Sequence, residues 1–133
     1  MANSISNQVL RERAKTITPT VSLTLNEADS FLEVNVGTDA LTITLPKIST
    51  DNIGLTYTLR NTGVAGNNII TIAPNALDAI IGIVGSVRAS GVVNKAWINT
   101  KATSQQADFV ILKAISVNRW YIQGGVGIFA SQA

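Results

Sequence analysis

Along most of the chain, apolar and polar residues alternate with a period of two. Val21-Ser-Leu-Thr-Leu25 alternates cleanly, and Phe31-Leu-Glu-Val-Asn-Val36 follows a turn at Ala28 to Ser30. Gly37-Thr-Asp39 breaks the pattern before Leu41-Thr-Ile-Thr-Leu45, which stops at Pro46. Leu55-Thr-Tyr-Thr-Leu-Arg60 and Ile69-Ile-Thr-Ile-Ala73 repeat it on either side of a glycine-rich turn segment at Asn61 to Asn68. A strand with one face in a core and one in water has this period. Threonine dominates the wet face, where its β-branched shape suits a pleated surface.

The C-terminal stretch extends the pattern. Phe109 to Ile115 and Arg119 to Gln123 read as a hairpin across Ser116-Val117-Asn118, and Val126 to Ala130 reads as a return. In the first of these strands both faces are apolar, Phe109 and Ile111 on one and Val110, Leu112 and Ala114 on the other. A strand apolar on both faces implies that something covers the outer one. Val92 to Asn99 is a further strand and holds Trp97. Ala76 to Val87 is apolar with glycines at 82 and 85, each costing about 1 kcal/mol in a helix interior, so a loop and a short strand are expected there. Ile80, Ile81, Ile83 and Val84 cannot all face one core from one strand, which sends some of them to another subunit. Nine or ten short strands with no convincing helix predict an all-β fold, an antiparallel β-sandwich of jelly-roll-like layout.

Residues 1–19 break the period. They are polar and end at Thr18-Pro19, where the residue before proline is held extended. Ile5 and Val9 are four apart, as are Leu10 and Ala14. This leaves two readings, a short amphipathic helix over Ser4 to Lys15 or a solvated tail. The expected organisation is an arm over 1–19 and a β-sandwich domain over 20–133.

Charge sharpens that division. The 133 residues carry ten Lys and Arg against eight Asp and Glu, a net charge of +2. Arg11, Arg13 and Lys15 against Glu12 put +2 in the arm, and the seven remaining bases balance the seven remaining acids. A neutral body lacks the clustered basic face that nucleic acid requires. Charged residues make up 14% of the chain, against about 25% in a typical soluble domain, and the mean hydropathy is +0.28. No apolar run approaches the roughly 20 residues of a membrane span, and MANSISNQVLRERAK lacks the apolar centre of a secretion signal. Surplus apolar surface without a membrane points to subunit interfaces. Ile81, Val84, Phe109, Ile111 and Phe129 are the residues expected to meet another copy.

The chain offers little chemistry. It has no cysteine and no histidine, which removes thiolate nucleophiles, the commonest general base and the commonest zinc ligand. Glu27, Asp29 and Glu33 lie close in sequence, but carboxylates in and beside a turn are solvated far more often than paired across a sugar. Gly124-Gly-Val-Gly127 lies between strands, so it punctuates them and cradles no phosphate. No loop has calcium-binding spacing. Trp97, Trp120 and Tyr121 are expected as core anchors, with a sugar-stacking platform as the alternative. No catalytic residue, metal or cofactor is expected.

The order of elements resembles a small β-domain found in tailed-bacteriophage virion proteins. TLNEADSFLEVNVGTDALTITLP, GLTYTLRNTG, NNIITIAP and ADFVILKAISVNRWYIQGG follow that family's sequence of a strand ending in Leu-Pro, a Gly-x-x-Tyr-Thr strand, an Asn-Thr-Gly turn, an Ile-Thr-Ile-x-Pro strand and a closing Asn-x-Trp-Tyr-Ile strand. The match runs from about residue 22 to 125. The resemblance implies a structural virion role without enzyme activity, in head decoration (cement) proteins or in tail-fibre and spike tips, commonly as homotrimers. A start at its own Met1 without a repetitive shaft, and a basic arm, favour the decoration version. That reading expects the major capsid protein and further copies of the chain as partners, with no nucleic acid and no membrane. It puts the protein on the outer surface of the capsid after synthesis in the host cytoplasm, with Ile5, Val9, Leu10, Arg11, Arg13 and Lys15 as the capsid-binding arm. The alternative is a tip that binds a host surface glycan.

Overall fold

The structure is a computed structural model and describes residues 15–27 and 30–133. The strands are β1 (Thr16–Ile17), β2 (Leu23–Thr24), β3 (Leu32–Val36), β4 (Leu41–Thr44), β5 (Thr56–Asn61), β6 (Ile70–Ala73), β7 (Ala79–Ile81), β8 (Ile83–Val84), β9 (Val87–Arg88), β10 (Trp97–Asn99), β11 (Phe109–Ser116), β12 (Arg119–Val126) and β13 (Phe129–Ser131). Among the described residues the only helical segment is one 3-10 turn at Lys101–Thr103. The larger sheet has the order β1-β3-β5-β11-β12-β7, the second has β13-β10-β6-β4-β2, and β8 and β9 pair with each other.

From β1 to β6 the chain crosses to the other sheet at every step. A strand that returns to its sheet after such a detour arrives pointing the same way. Hence β1, β3 and β5 are parallel neighbours, and so are β2, β4 and β6. The last four strands reverse this: β10 is antiparallel to β6 and β13, and β11 to β5 and β12. The fold is therefore all-β with two sheets about one core, but the purely antiparallel, jelly-roll-like pairing expected from the sequence is corrected to a mixed one. Period-two alternation fixes which side chains face the core, and it is the same for both strand directions.

The core is filled as the alternation requires. Val34 and Val36 of β3, Tyr57 and Leu59 of β5, and Val110 and Leu112 of β11 share one buried cluster with Ile43 of β4, Ile72 of β6 and Trp97 of β10. Trp97 stacks on Phe129 with ring centroids 5.4 Å apart, and Trp120 meets Tyr57 at 5.8 Å. The expected hairpin forms at Ser116 to Asn118, where Asn118 takes φ 67, a left-handed conformation that Asn tolerates better than most residues. Thr16–Ile17, placed in the arm by sequence, is a strand of the larger sheet.

The apolar run 76–87 becomes two elements. β7 lies parallel to β12 at the sheet edge and buries Ile80. Gly82, at φ 133, then turns the chain, and a Cβ there would stand 2.8 Å from that of Ile122. Beyond it the β8–β9 hairpin leans on β12, seating Val84 on the bare face of Gly125, and Ser90 N–H donates to Ser131 Oγ at 2.8 Å. The hairpin thus spans from β12 of one sheet to β13 of the other. The break at Gly82 lets neighbouring apolar residues face the core from two directions.

One end of the two sheets is joined by buried amides. Asn61 Nδ2 donates to Asn99 Oδ1 at 2.7 Å, linking β5 to β10, and Asn68 Nδ2 donates to Asn61 Oδ1 at 3.0 Å. Asn99 Nδ2 donates to Asp108 Oδ2 at 3.1 Å, and the same oxygen accepts from Gln105 N–H. Nearby on the surface, Lys101 Nζ lies 2.6 Å from Asp39 Oδ2, and Ile69 N–H donates to Asp39 Oδ1 at 3.1 Å. The Lys101 hydrogen bond, then the Ile69 N–H, hold the Asp39 carboxyl below its ordinary value of 3.8. A carboxylate depressed on folding stabilises the protein above its unfolded pKa and loses that contribution as pH falls through the folded pKa. Asp39→Asn should therefore flatten the acid limb of a stability–pH curve below about pH 4. The change should be small because the pair is exposed. Thermal unfolding of both proteins between neutral and acid pH checks this.

Candidate interaction surface

Strand direction sorts the loops onto two ends. In the larger sheet β1, β3 and β5 run together, β11 runs against them, and β12 and β7 run with them. The starts of β1, β3, β5, β12 and β7 and the finish of β11 therefore share one end, opposite the buried amides. Phe31 precedes β3, Ile53 lies just before β5, Ile115 and Val117 flank the β11–β12 turn, and Leu77 precedes β7. All five are between 41 and 59% exposed. They lie along the sheet end, one each before β3, β5 and β7 and two at the β11–β12 turn. Phe31 takes φ 60, a strained conformation for a bulky residue, and its N–H donates to Thr56 O.

Hydrogen bonds tie the neighbouring loops to this end. Gly54 N–H donates to Ala114 O at 2.7 Å and Ala79 N–H to Asn118 O at 3.0 Å. Asn94 N–H donates to Asp78 O at 2.9 Å, which brings exposed Val92 and Val93 to the same end. Ile48 N–H donates to Asp78 Oδ2 at 2.9 Å, so this buried carboxylate fastens the 46–54 loop. Asn52 Nδ2 donates to Glu27 Oε2 at 3.2 Å, which ties the 46–54 loop to the residues that follow β2. Seven of the thirteen exposed large apolar side chains among the described residues stand at this end, the other six being spread over the rest of the body, and clusters of this kind mark contact surfaces.

Of the sequence-expected arm residues, Ile5, Val9, Leu10, Arg11 and Arg13 lie outside the described residues. Lys15 is exposed at the same end, where its carbonyl accepts from Glu33 N–H at 2.7 Å. The residues expected to meet another copy fall into two groups. Phe109 and Ile111 are half-buried on the outer face of β11, with the Arg60 guanidinium 4.8 Å over the Phe109 ring, and Ile81 is half-buried beside Tyr121. Val84 and Phe129 are corrected: both are buried in the chain's own core, beneath the β8–β9 hairpin and against Trp97. Their apolar character serves the fold, which leaves them nothing to offer a partner.

The chemical candidates separate in the same way. Trp97 and Trp120 are fully buried as core anchors, and Tyr121 is half-buried. Among the described residues no three carboxylates come together as a metal would require. Sequence reasoning missed the row at the sheet end because its members sit singly, 22, 24, 38 and 2 residues apart from Phe31 to Ile53, Leu77, Ile115 and Val117. The available signal was an apolar residue just outside the alternation at each turn. Comparison with protein-family models and with curated proteins finds no match for this chain.

Proposed function

We propose that this protein is a structural attachment protein of a phage virion, a decoration protein that docks on the outside of the head as a trimer and makes contacts that must break before capsomers separate. The observation that carries the reading is the gathering of exposed apolar residues at one end of an otherwise neutral body, with the basic N-terminal segment leaving from that same end. In this reading the apolar end and residues 1–14 meet the major capsid protein, and the outer face of β11, with Phe109 and Ile111, meets the other copies. Binding that favours the assembled shell stabilises it by mass action. No step of this role calls for catalysis, and the protein acts by contact alone.

The second reading is a tail-fibre or spike tip that binds a host surface glycan. An exposed Trp120 and Tyr121 would have favoured it, and Trp120 is buried in the core while Tyr121 is half-buried.

Immunogold labelling of intact virions tests the proposal. Label spread over the head is the expected result. Label confined to the tail would replace the decoration role with an adhesive one, and particles free of label would end the virion reading. Removing residues 1–14, which leaves β1 in the sheet, should weaken head binding.

A further inference from the structure

Nine of the chain's ten glycines have a reason within the chain. Six take a left-handed φ, and at Gly37, Gly63 and Gly125 a Cβ would stand 3.0 Å or less from another atom. Gly124 has neither reason. It sits inside β12 without a left-handed φ, and a Cβ there would meet no described atom within 4 Å. Glycine weakens a strand interior, and where nothing inside the chain requires it, it marks the close approach of something from outside. We propose that Gly124 is the point of closest approach between two copies of this chain, where the outer face of β11 and β12 in one copy receives a neighbour. The inference rests on the reading above that this face joins copies, and it is independent of the virion.

Register places Gly124 on that face. It pairs with half-buried Ile111, and exposed Val126, two residues on, pairs with half-buried Phe109. Gln123 is the extra residue of a bulge, but the bulge that needs glycine needs it left-handed, and Gly124 is not. The next residue, Gly125, faces inward beneath Val84, so the opening at Gly124 belongs to the outer side. The surroundings select the occupant. A small ligand would need converging polar groups, whereas a protein interface has an apolar centre with charge held to its rim. Glu33 and Arg60 on this face are paired with each other at 2.9 Å, the guanidinium also covers the Phe109 ring, and Lys113 lies beyond Ile111 toward the sheet end. The neutral body gives copies no net charge to hold them apart. The face is also large enough. Eight residues of β11 or β12 extend about 26 Å at roughly 3.3 Å each, and five strand intervals span about 24 Å at roughly 4.8 Å each. That is about 600 Å² in projection on each copy, which reaches the low end of stable interfaces, about 1,200 Å² over both partners.

Gly124→Leu tests this on the full chain. Sedimentation over a concentration series should show the unaltered protein assembling and the variant's dissociation constant raised about tenfold or more, since a side chain forced into a packed contact is costly. Circular dichroism at a dilution where both proteins are monomers should show the same fold, because the added Cβ enters open space. Equal dissociation constants would overturn the contact at Gly124 and leave self-association standing. An unaltered chain that stays at 14.0 kDa throughout would overturn self-association and this inference with it. Gly124→Cys serves where leucine disturbs the fold. The chain has no other cysteine, so a maleimide reads this thiol alone. Its labelling rate should fall as concentration carries the protein into the assembled state, and an unchanged rate in assembled protein would overturn the proposal.

Discussion

Replacing Trp120 with alanine should lower the free energy of unfolding by about 3 to 5 kcal/mol. The ring is fully buried, packs against Tyr57 at 5.8 Å, and sits opposite Ile80 of the edge strand β7. Losing it would open a cavity between β12 and the core, and β7 would lose its buried neighbour. A domain of this kind is stable by only about 5 to 15 kcal/mol, so the loss is a large share of the whole. Urea unfolding followed by far-UV circular dichroism, at matched protein concentration, measures it. Trp120→Phe should cost clearly less. It keeps most of the apolar volume, and the indole N–H it deletes has no acceptor among the described residues. A change under about 1 kcal/mol for the alanine variant would show that the core collapses around the site, or that the ring is not an anchor.

The strands themselves were legible because their alternation is strict. Leu32, Val34 and Val36, or Leu41 and Ile43, are buried where the period of two puts them. Direction was not legible, because nothing in Val34 or Ile43 records whether a neighbour runs with it or against it. The parallel pairing comes from the crossing of the chain between sheets, a property of whole connections. The run 76–87 shows the converse. Its apolar residues read as surplus when forced onto one strand, but a positive φ at Gly82 lets Ile80 and Val84 both enter the core. The same error placed Val84 and Phe129 at an interface. A residue's apolarity says that it leaves water and not whether its own chain or another receives it. The apolar end was illegible for a related reason. Phe31 and Val117 are 86 positions apart, and only the directions of β3, β11 and β12 bring them to one edge.

Asn61→Leu should cost at least about 3 kcal/mol, although leucine has a similar volume and the position is almost fully buried. The amide works in both directions. Its Nδ2 donates to Asn99 Oδ1 at 2.7 Å and Asn68 O at 3.2 Å, and its Oδ1 accepts from Gly63 N–H at 2.9 Å and Asn68 Nδ2 at 3.0 Å. Asn68 Nδ2 would retain Val36 O as a partner, but Asn99 Oδ1, Asn68 O and Gly63 N–H would lose the bonds that Asn61 gives them. Each buried group so orphaned costs about 1 to 3 kcal/mol, and the low end for three sets the expected floor. Chemical denaturation of the variant measures the loss. A cycle with Asn99→Leu then separates the amide pair from the packing, with a coupling energy of about 0.5 to 3 kcal/mol expected for residues in one network. Since Asn61 lies in one sheet and Asn99 in the other, that coupling reports how firmly the two sheets are joined at the end remote from the apolar row. Additive single-site costs would mean that the amides act independently and that the shared apolar core alone holds the sheets together.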